Sequence, residues 1–176
     1  MYKIFPKLLL LLLIFKFFIG VSTSSIWASH LIKDDNINEQ VFIGIIESFN
    51  LYSNFFNEVK YINNESSPVN ANTFEEAIDY FSKGFDCKLA KDIVVSFTTM
   101  DKNSQNLLII PTDGIPIIEK EDYDKLEFFI INNYKVVVKK EFKNYFAMDD
   151  NYVYFIIVKK INDKWKISNL ALLPTK

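Results

Sequence analysis

The sequence predicts an α+β domain, in which helices come first along the chain and a mostly antiparallel sheet follows. In the first half of the domain, apolar residues recur at spacings of three and four, which is typical of amphipathic helices. In the second half, runs rich in Val, Ile, Tyr and Phe alternate with short turns containing Asn and Asp, which is typical of strands. Helices followed by strands favour helices packed on one face of a curved sheet.

A targeting segment over residues 1–28 is predicted to precede this domain. A basic start and an apolar run over residues 8–21 are followed by small polar residues at 22–25, which is the layout of a secretory signal peptide. The run is shorter than the roughly 20 apolar residues that a spanning helix needs, and it contains Lys16. Cleavage is therefore favoured over an uncleaved membrane anchor, and a secreted or extracytoplasmic location is expected either way.

The composition of the rest of the chain disfavours some classes of function. Without residues 1–28 the chain has 17 basic residues, all lysine, against 22 acidic ones, a formal charge of −5. Nucleic acid is excluded as a partner because its binders need clustered Lys and Arg to neutralise phosphates. Cys87 is the only cysteine, so the chain forms no internal disulfide. We expect Cys87 to be a half-buried residue near a helix start.

Residues 29–38 are predicted to be a polar tether, and residues 39–176 a single α+β domain. The first helix is expected from Glu39 to about Tyr61, because apolar residues there fall at helical spacing. Turn-forming residues at 63–68 are expected to end it.

Two shorter helices are predicted next. Thr73 and Glu76 match a capping box at a helix start, and Gly84 lies where a left-handed helix end is expected. The third helix is expected to begin near Asp86 and to include Phe97.

After Met100 the pattern changes to strands. The short apolar runs 107–110 and 115–118 enclose Pro111–Gly114, which predicts a turn with edge or irregular pairing. Four strands joined by short hairpins are predicted at residues 126–131, 135–146, 152–161 and 164–173. In the last three, alternation predicts burial of Val136, Val138, Tyr154, Ile156, Trp165 and Ile167.

Two segments carry a resemblance to known families. The hairpin of residues 161–167, with Trp165 and its flanking lysines, resembles one in nuclear-transport-factor-2-like domains of the cystatin superfamily. Over residues 39–176 this resemblance implies a cone of sheet around a long helix. Residues 80–90 and 110–116 are similar to an uncharacterised group of small exported proteins of Gram-positive, spore-forming bacteria, which implies a place in the cell envelope and carries no assigned activity.

Three functions are considered. The preferred one is a non-enzymatic binding or accessory domain of the cell envelope, which holds a peptide, an envelope protein or a small apolar ligand and needs no cofactor. A second is an inhibitor of a cell-wall hydrolase, since the size, signal peptide and Trp-Lys-Ile ending are similar to secreted endopeptidase inhibitors. The third is a small isomerase or hydratase with an Asp/Tyr pair in the cone. Its candidates are Asp79, Tyr80, Asp92, Tyr134, Tyr152 and Tyr154.

Two kinds of site are disfavoured. His30 is the only histidine and lies in the tether, so a catalytic triad or a zinc site with the usual ligands is not expected in the domain. An acidic cluster is interpreted as a solvated turn and not as a calcium site, because its spacing matches no calcium loop. Its members are Glu119, Glu121, Asp122 and Asp124.

The candidate binding residues are Thr112 and Asp113, together with the aromatic residues Tyr134, Tyr152 and Trp165. The segment from Pro111 to Pro116 has two interpretations: a rigid loop at the mouth of the cone that presents Thr112 and Asp113, or a turn whose prolines protect an edge strand. The second is favoured. Aromatic residues left exposed around a concave face would form an interaction patch. A homodimer through the sheet is also considered.

Overall fold

The computed structural model describes residues 35–102, 105–145 and 150–175. The predicted targeting segment at 1–28, His30 and most of the tether lie outside the described residues. Residues 35–38, the end of the predicted tether, are described and belong to helix α1. This helix runs from Asp35 to Asn57, so it begins before the predicted Glu39. None of the described helices is long and apolar enough to span a membrane.

Helix α1 ends earlier than predicted and is followed by a hairpin. Strands β1 (Val59–Ile62) and β2 (Glu65–Pro68) pair antiparallel across Asn63 and Asn64, whose φ angles are 51° and 68°. Asn tolerates positive φ better than most residues, so this two-residue turn suits a hairpin. The predicted helix was therefore wrong at its end, over residues 58–61, and the predicted turn is confirmed at Asn63 and Asn64 but was wrong for 65–68, which form β2.

The capping residues of α2 (Phe74–Phe81) are close to prediction. Thr73 accepts a hydrogen bond from the Glu76 N–H at 3.2 Å, while the Glu76 carboxylate accepts from the Asn72 N–H at 2.6 Å. The helix end differs, because Ser82 caps it in a right-handed conformation and Gly84 has no positive φ. The reason for a glycine is space: a Cβ on Gly84 would lie 2.8 Å from Ser48 Cα.

Helix α3 (Cys87–Phe97) begins as predicted, with the Asp86 carboxylate accepting from the Leu89 N–H at 2.8 Å. Cys87 is exposed, which corrects the expectation of half burial. It is the first residue of the helix, and the buried face consists of Ala90, Ile93 and Val94.

The middle of the chain is short strands and irregular structure. Strands β3 (Thr98–Met100) and β4 (Leu107–Ile109) pair antiparallel. Residues 110–119 belong to no helix or strand, so the apolar run 115–118 forms no regular pairing. A 3₁₀ helix at Lys120–Lys125 completes this region.

The described strands β5 to β8 form the predicted antiparallel meander in the order β5-β6-β7-β8. Their bounds are β5 Leu126–Asn132, β6 Lys135–Phe142, β7 Asn151–Ile161 and β8 Lys164–Thr175. Strand β6 ends before the predicted Phe146, which lies outside the described residues. The described sheets are separate and not closed, and the α+β class is confirmed.

One edge of the sheet is protected by the connection between α2 and α3. The Asp86 N–H donates to Ile167 O at 2.8 Å, and the Ile167 N–H donates to Gly84 O at 3.0 Å. Phe85 thus forms a parallel bridge to Ile167 on edge strand β8. Because backbone groups of β8 are occupied here, another chain cannot pair with them.

The core fills the space between α1 and the sheet. The helix contributes Ile45, Phe49 and Phe55, and all three side chains are buried. The predicted inward-facing residues of the sheet are also buried: Val136, Val138, Tyr154, Ile156, Trp165 and Ile167. Large side chains from both elements belong to one cluster, so the inner face of the sheet is mainly a packing surface.

Candidate binding site

The loop from Ile110 to Gly114, here called the rim loop, is held by a local turn. The Gly114 N–H donates to Thr112 Oγ1 at 2.9 Å, and Gly114 has a φ of 74°, a conformation in which other residues are strained. Thr112 and Asp113 are exposed at its tip. The turn therefore presents a hydroxyl and a carboxylate to solvent, although the hydroxyl already accepts one hydrogen bond.

Tyr52 of helix α1 supports the rim loop from the inner side. Its hydroxyl would lie 3.2 Å from a Cβ on Gly114. Burial raises the pKa of Tyr52 to about 12, and a backbone hydrogen bond with Ile115 partly offsets this. The phenol is therefore protonated at neutral pH and ties the helix to the residue that follows the loop.

Two adjoining cavities, here together called the rim cleft, lie beside the rim loop. The smaller has a volume of about 220 Å³ and includes Thr112 and Asp113 in its lining. The larger, of about 580 Å³, opens between the β1–β2 and β3–β4 hairpins. Both share the apolar wall formed by Phe56, Ile109, Ile110 and Pro111. Apolar concave surfaces of this kind are where ligands and partner side chains bind.

An aromatic cluster stiffens the wall of the rim cleft. The ring centroids of Tyr52 and Phe56 are 4.7 Å apart, and those of Phe56 and Phe97 are 5.8 Å apart. Tyr52 and Phe97 meet edge to face at 6.0 Å. Such pairs are mutually attractive, so the wall keeps its shape without a ligand.

The charges of the rim cleft have one sign. From the part of the chain that the structure describes, the only charged residues in the lining are Asp113 in the smaller cavity and Glu65 in the larger one. No lysine lines either cavity, although the chain has 20 basic residues. The rim cleft therefore combines an apolar wall with polar residues and a weak negative charge.

A second groove of about 590 Å³ runs along the exposed side of α1 and includes Trp165 in its lining. It carries charges of both signs, because Glu47 and Asp163 line it together with Lys83 and Lys164. Trp165 is buried, and Gly44 leaves it space, since a Cβ there would lie 2.8 Å from Trp165 Cβ. Among the described residues nothing accepts a hydrogen bond from Trp165 Nε1. The indole is mainly a packing group.

The other candidate binding residues lie elsewhere. Tyr134 is 68% exposed in the turn between β5 and β6, and its carbonyl accepts from the Lys160 N–H at 2.9 Å. Tyr152 pairs with Phe142 at the opposite end of β6, roughly 24 Å away for strands of this length. The structure thus brings Thr112 and Asp113 together, and leaves Tyr134, Tyr152 and Trp165 in three different places.

The candidate catalytic residues are also dispersed. Asp79 is exposed on α2 near Tyr80, and Asp92 is exposed on α3, where Lys88 binds it at 2.8 Å. Tyr154 is buried in the sheet, where burial and then the nearby Tyr145 and Tyr52 raise its pKa above the usual range. No hydrogen-bond partner of its hydroxyl is found among the described residues.

The acidic cluster contains a buried ion pair that the sequence interpretation missed. Glu119, Glu121 and Asp124 are exposed as expected, but Asp122 is buried, and its Oδ2 lies 2.6 Å from Lys140 Nζ. The expectation of a solvated turn was wrong for Asp122. Within the described ranges, no group of three or more His, Cys, Asp or Glu side chains could hold a metal ion.

Several groups hold Asp122 in its charged form. Its burial raises the pKa, but hydrogen bonds from Lys140, the Glu119 N–H and Lys125 outweigh burial and lower the pKa below its usual value. Lys140 Nζ also lies 4.5 Å from the ring centroid of Phe142. A signal was present in the sequence, because Lys140 continues the inward-facing alternation of Val136 and Val138.

These features define a small α+β domain with a filled core and a cleft that has an apolar wall and two carboxylates. No model of a known protein family matches the chain, and no curated protein matches it significantly.

Proposed function

We propose that this protein is a binding domain of the cell envelope that uses the rim cleft to hold an apolar group of a peptide, a protein or a small ligand. The observation that carries the proposal is the preformed apolar wall of Phe56, Ile109, Ile110 and Pro111, which borders both cavities. An exposed concave apolar surface on a small domain marks an interaction site. The filled core favours the outer surface as the place of function.

The position in the envelope and the fold family are part of the same proposal. The basic, apolar and small-residue order of residues 1–28 supports export. The succession of helices and an antiparallel meander, with a 23-residue helix packed on the sheet, supports a nuclear-transport-factor-2-like domain. The resemblance of residues 80–90 and 110–116 to small exported Gram-positive proteins also favours export.

The isomerase or hydratase alternative has one supporting observation. Asp122 binds Lys140, and Lys140 lies opposite Tyr154 in the register of β6 and β7, so an Asp and a Tyr do occupy one region of the inner face. The ion pair disfavours this alternative, because a general base works best with a pKa near the operating pH and the pKa of Asp122 is lowered. The inhibitor alternative would use the same exposed rim loop.

The test is a titration of the ¹⁵N-labelled full chain with the neutral probe 2-phenylethanol, followed by NMR. Binding should shift the amide signals of residues 109, 110 and 112–114, and Ile110→Asp should abolish these shifts because it places a charge on the apolar wall. Ile110→Thr, a milder change, keeps the test valid if the first variant unfolds. Ile43→Asp is the matched control, since Ile43 is 50% exposed in the other groove and Ile110 is 38% exposed. Shifts lost equally in the Ile43 variant would count against the rim cleft.

A further inference from the structure

The charge of the rim cleft carries an inference about its partner, and this inference rests on the proposed function. Asp113 and Glu65 line adjoining cavities, and the described lining contains no basic side chain to neutralise them. Some exposed acids elsewhere have lysine partners: Asp92 binds Lys88 at 2.8 Å, and both Glu127 and Glu141 bind Lys139. The rim cleft thus places two carboxylates beside an apolar wall, with no lysine in the described lining.

We propose that the rim cleft binds a segment of a partner protein in which a large apolar side chain is flanked by lysine or arginine. The apolar side chain packs on Phe56, Ile110 and Pro111, and the flanking cations approach Asp113 on one side and Glu65 on the other. A chain segment can supply side chains to both adjoining cavities. Opposite charges across an interface raise the association rate and exclude acidic competitors.

The two carboxylates have distinct surroundings. Asp113 follows Thr112 at the exposed tip of the rim loop, where the Gly114 turn holds the backbone. Glu65 begins β2 and pairs with Ile62 across the Asn63–Asn64 turn. Both therefore project from backbone that is fixed by hydrogen bonds. This backbone loses little conformational freedom when a partner binds.

The experiment compares three matched peptides by NMR titration of the ¹⁵N-labelled full chain: acetyl-Lys-Phe-Lys-amide, acetyl-Gln-Phe-Gln-amide and acetyl-Glu-Phe-Glu-amide. All three carry the same phenyl group and differ only in charge. The lysine peptide should bind most tightly and the glutamate peptide least tightly, by about two- to fivefold for each exposed charge pair. The preference should shrink at 1 M salt, where the screening length falls to about 3 Å.

Three variants assign the effect to its residues. Asp113→Asn and Glu65→Gln should each remove part of the preference for the lysine peptide, and together they should abolish it while the glutamine peptide still binds. Asp79→Asn is the control, because Asp79 is an exposed acid on α2 outside the lining of both cavities. It should leave the preference unchanged.

The outcomes separate this inference from the proposed function. Equal binding of the three peptides at residues 109–114 overturns the charge preference and leaves the cleft as a binding site. Binding of no peptide at those residues contradicts the proposed function and the inference with it. A preference that survives in the double variant assigns the charge recognition to other residues and also overturns the inference.

Discussion

The two faces of the β5–β8 sheet use the same residue types in opposite ways, and two adjacent lysines of β6 display the difference. Lys139 lies on the outer face, where its Nζ is 2.9 Å from Glu127 and 2.8 Å from Glu141. Lys140 lies on the inner face, 2.6 Å from Asp122, and both of those side chains are only 10% exposed. Ion pairs of similar length therefore occur with solvent-exposed carboxylates on one face and largely shielded from solvent on the other.

The comparison shows what each pair can contribute. In water the attraction between two charges is largely offset by lost hydration and side-chain entropy, so exposed pairs add little stability. On the inner face the two charges are largely shielded from water, and removal of Lys140 would leave Asp122 with only the Glu119 N–H and Lys125 as partners. The pair Asp122–Lys140 should therefore fix the 3₁₀ helix against the sheet, while Lys139 and its partners mainly keep the outer face soluble.

The largest expected effect comes from removing Lys140. Lys140→Ala should lower the free energy of unfolding by about 3–5 kcal/mol, because Asp122 stays buried without its main partner. Lys139→Ala, the neighbouring residue on the other face, should cost far less. Urea unfolding of both variants measures the difference. Similar losses for the two lysines would show that Asp122 is reached by water.

A double variant checks the cause of that loss. Replacing both partners, with Lys140→Met and Asp122→Leu, leaves no buried charge, and such replacements are often neutral or stabilising. We expect the double variant to recover most of the stability that Lys140→Ala loses. If it remains as unstable as the single variant, then packing of the lysine stem and not charge explains the loss.

The second effect is a dependence of stability on pH. The pKa of Asp122 is lower in the folded state than its usual value of 3.8, so its contribution to stability is fully present above that value and is lost as the pH falls through the folded pKa. The unfolding free energy of the protein should decrease below about pH 4. The unfolding free energy of the Asp122→Asn variant should decrease less over the same pH range. A parallel decrease in both proteins would assign the acid sensitivity to other carboxylates.

The inner and outer faces also differ in how far sequence predicts them. The alternation of β6 and β8 gives the buried positions of Val136, Val138 and Ile167 correctly, because a strand has a fixed period of two. The same period places Lys140 inward. The period does not predict the ion-pair partner of Lys140. Asp122 belongs to a 3₁₀ helix earlier in the chain, and its contact with Lys140 depends on tertiary packing.

Elements with ambiguous local signals were harder to predict. Val59 and Ile62 fit both the helical spacing of α1 and a short strand, and only the Asn63–Asn64 turn decides between them. Strand β2, with the sequence Glu-Ser-Ser-Pro, consists of turn-forming residues and becomes a strand because β1 pairs with it. Pairing overrode the local preference in that case.

The candidate site was predictable only in part. The Pro111–Gly114 motif indicated an irregular loop that exposes Thr112 and Asp113, and the structure places both at its tip. The rest of the rim cleft comes from α1, both hairpins and α3, which are distant in sequence. The spacing of residues in the sequence therefore predicts neither the shared apolar wall nor the position of Glu65 beside it.

The smallest expected effect is a difference in sensitivity to salt between the two faces. The screening length falls from about 10 Å at 0.1 M to about 3 Å at 1 M salt, which weakens exposed pairs much more than buried ones. The small effect of Lys139→Ala should therefore disappear in 1 M NaCl, whereas the loss caused by Lys140→Ala should persist. Urea unfolding at the two salt concentrations measures both, with the parent chain at each concentration as the reference. A salt-dependent loss at Lys140 would mean that ions reach the inner face, and the 3₁₀ helix would then have to open in solution.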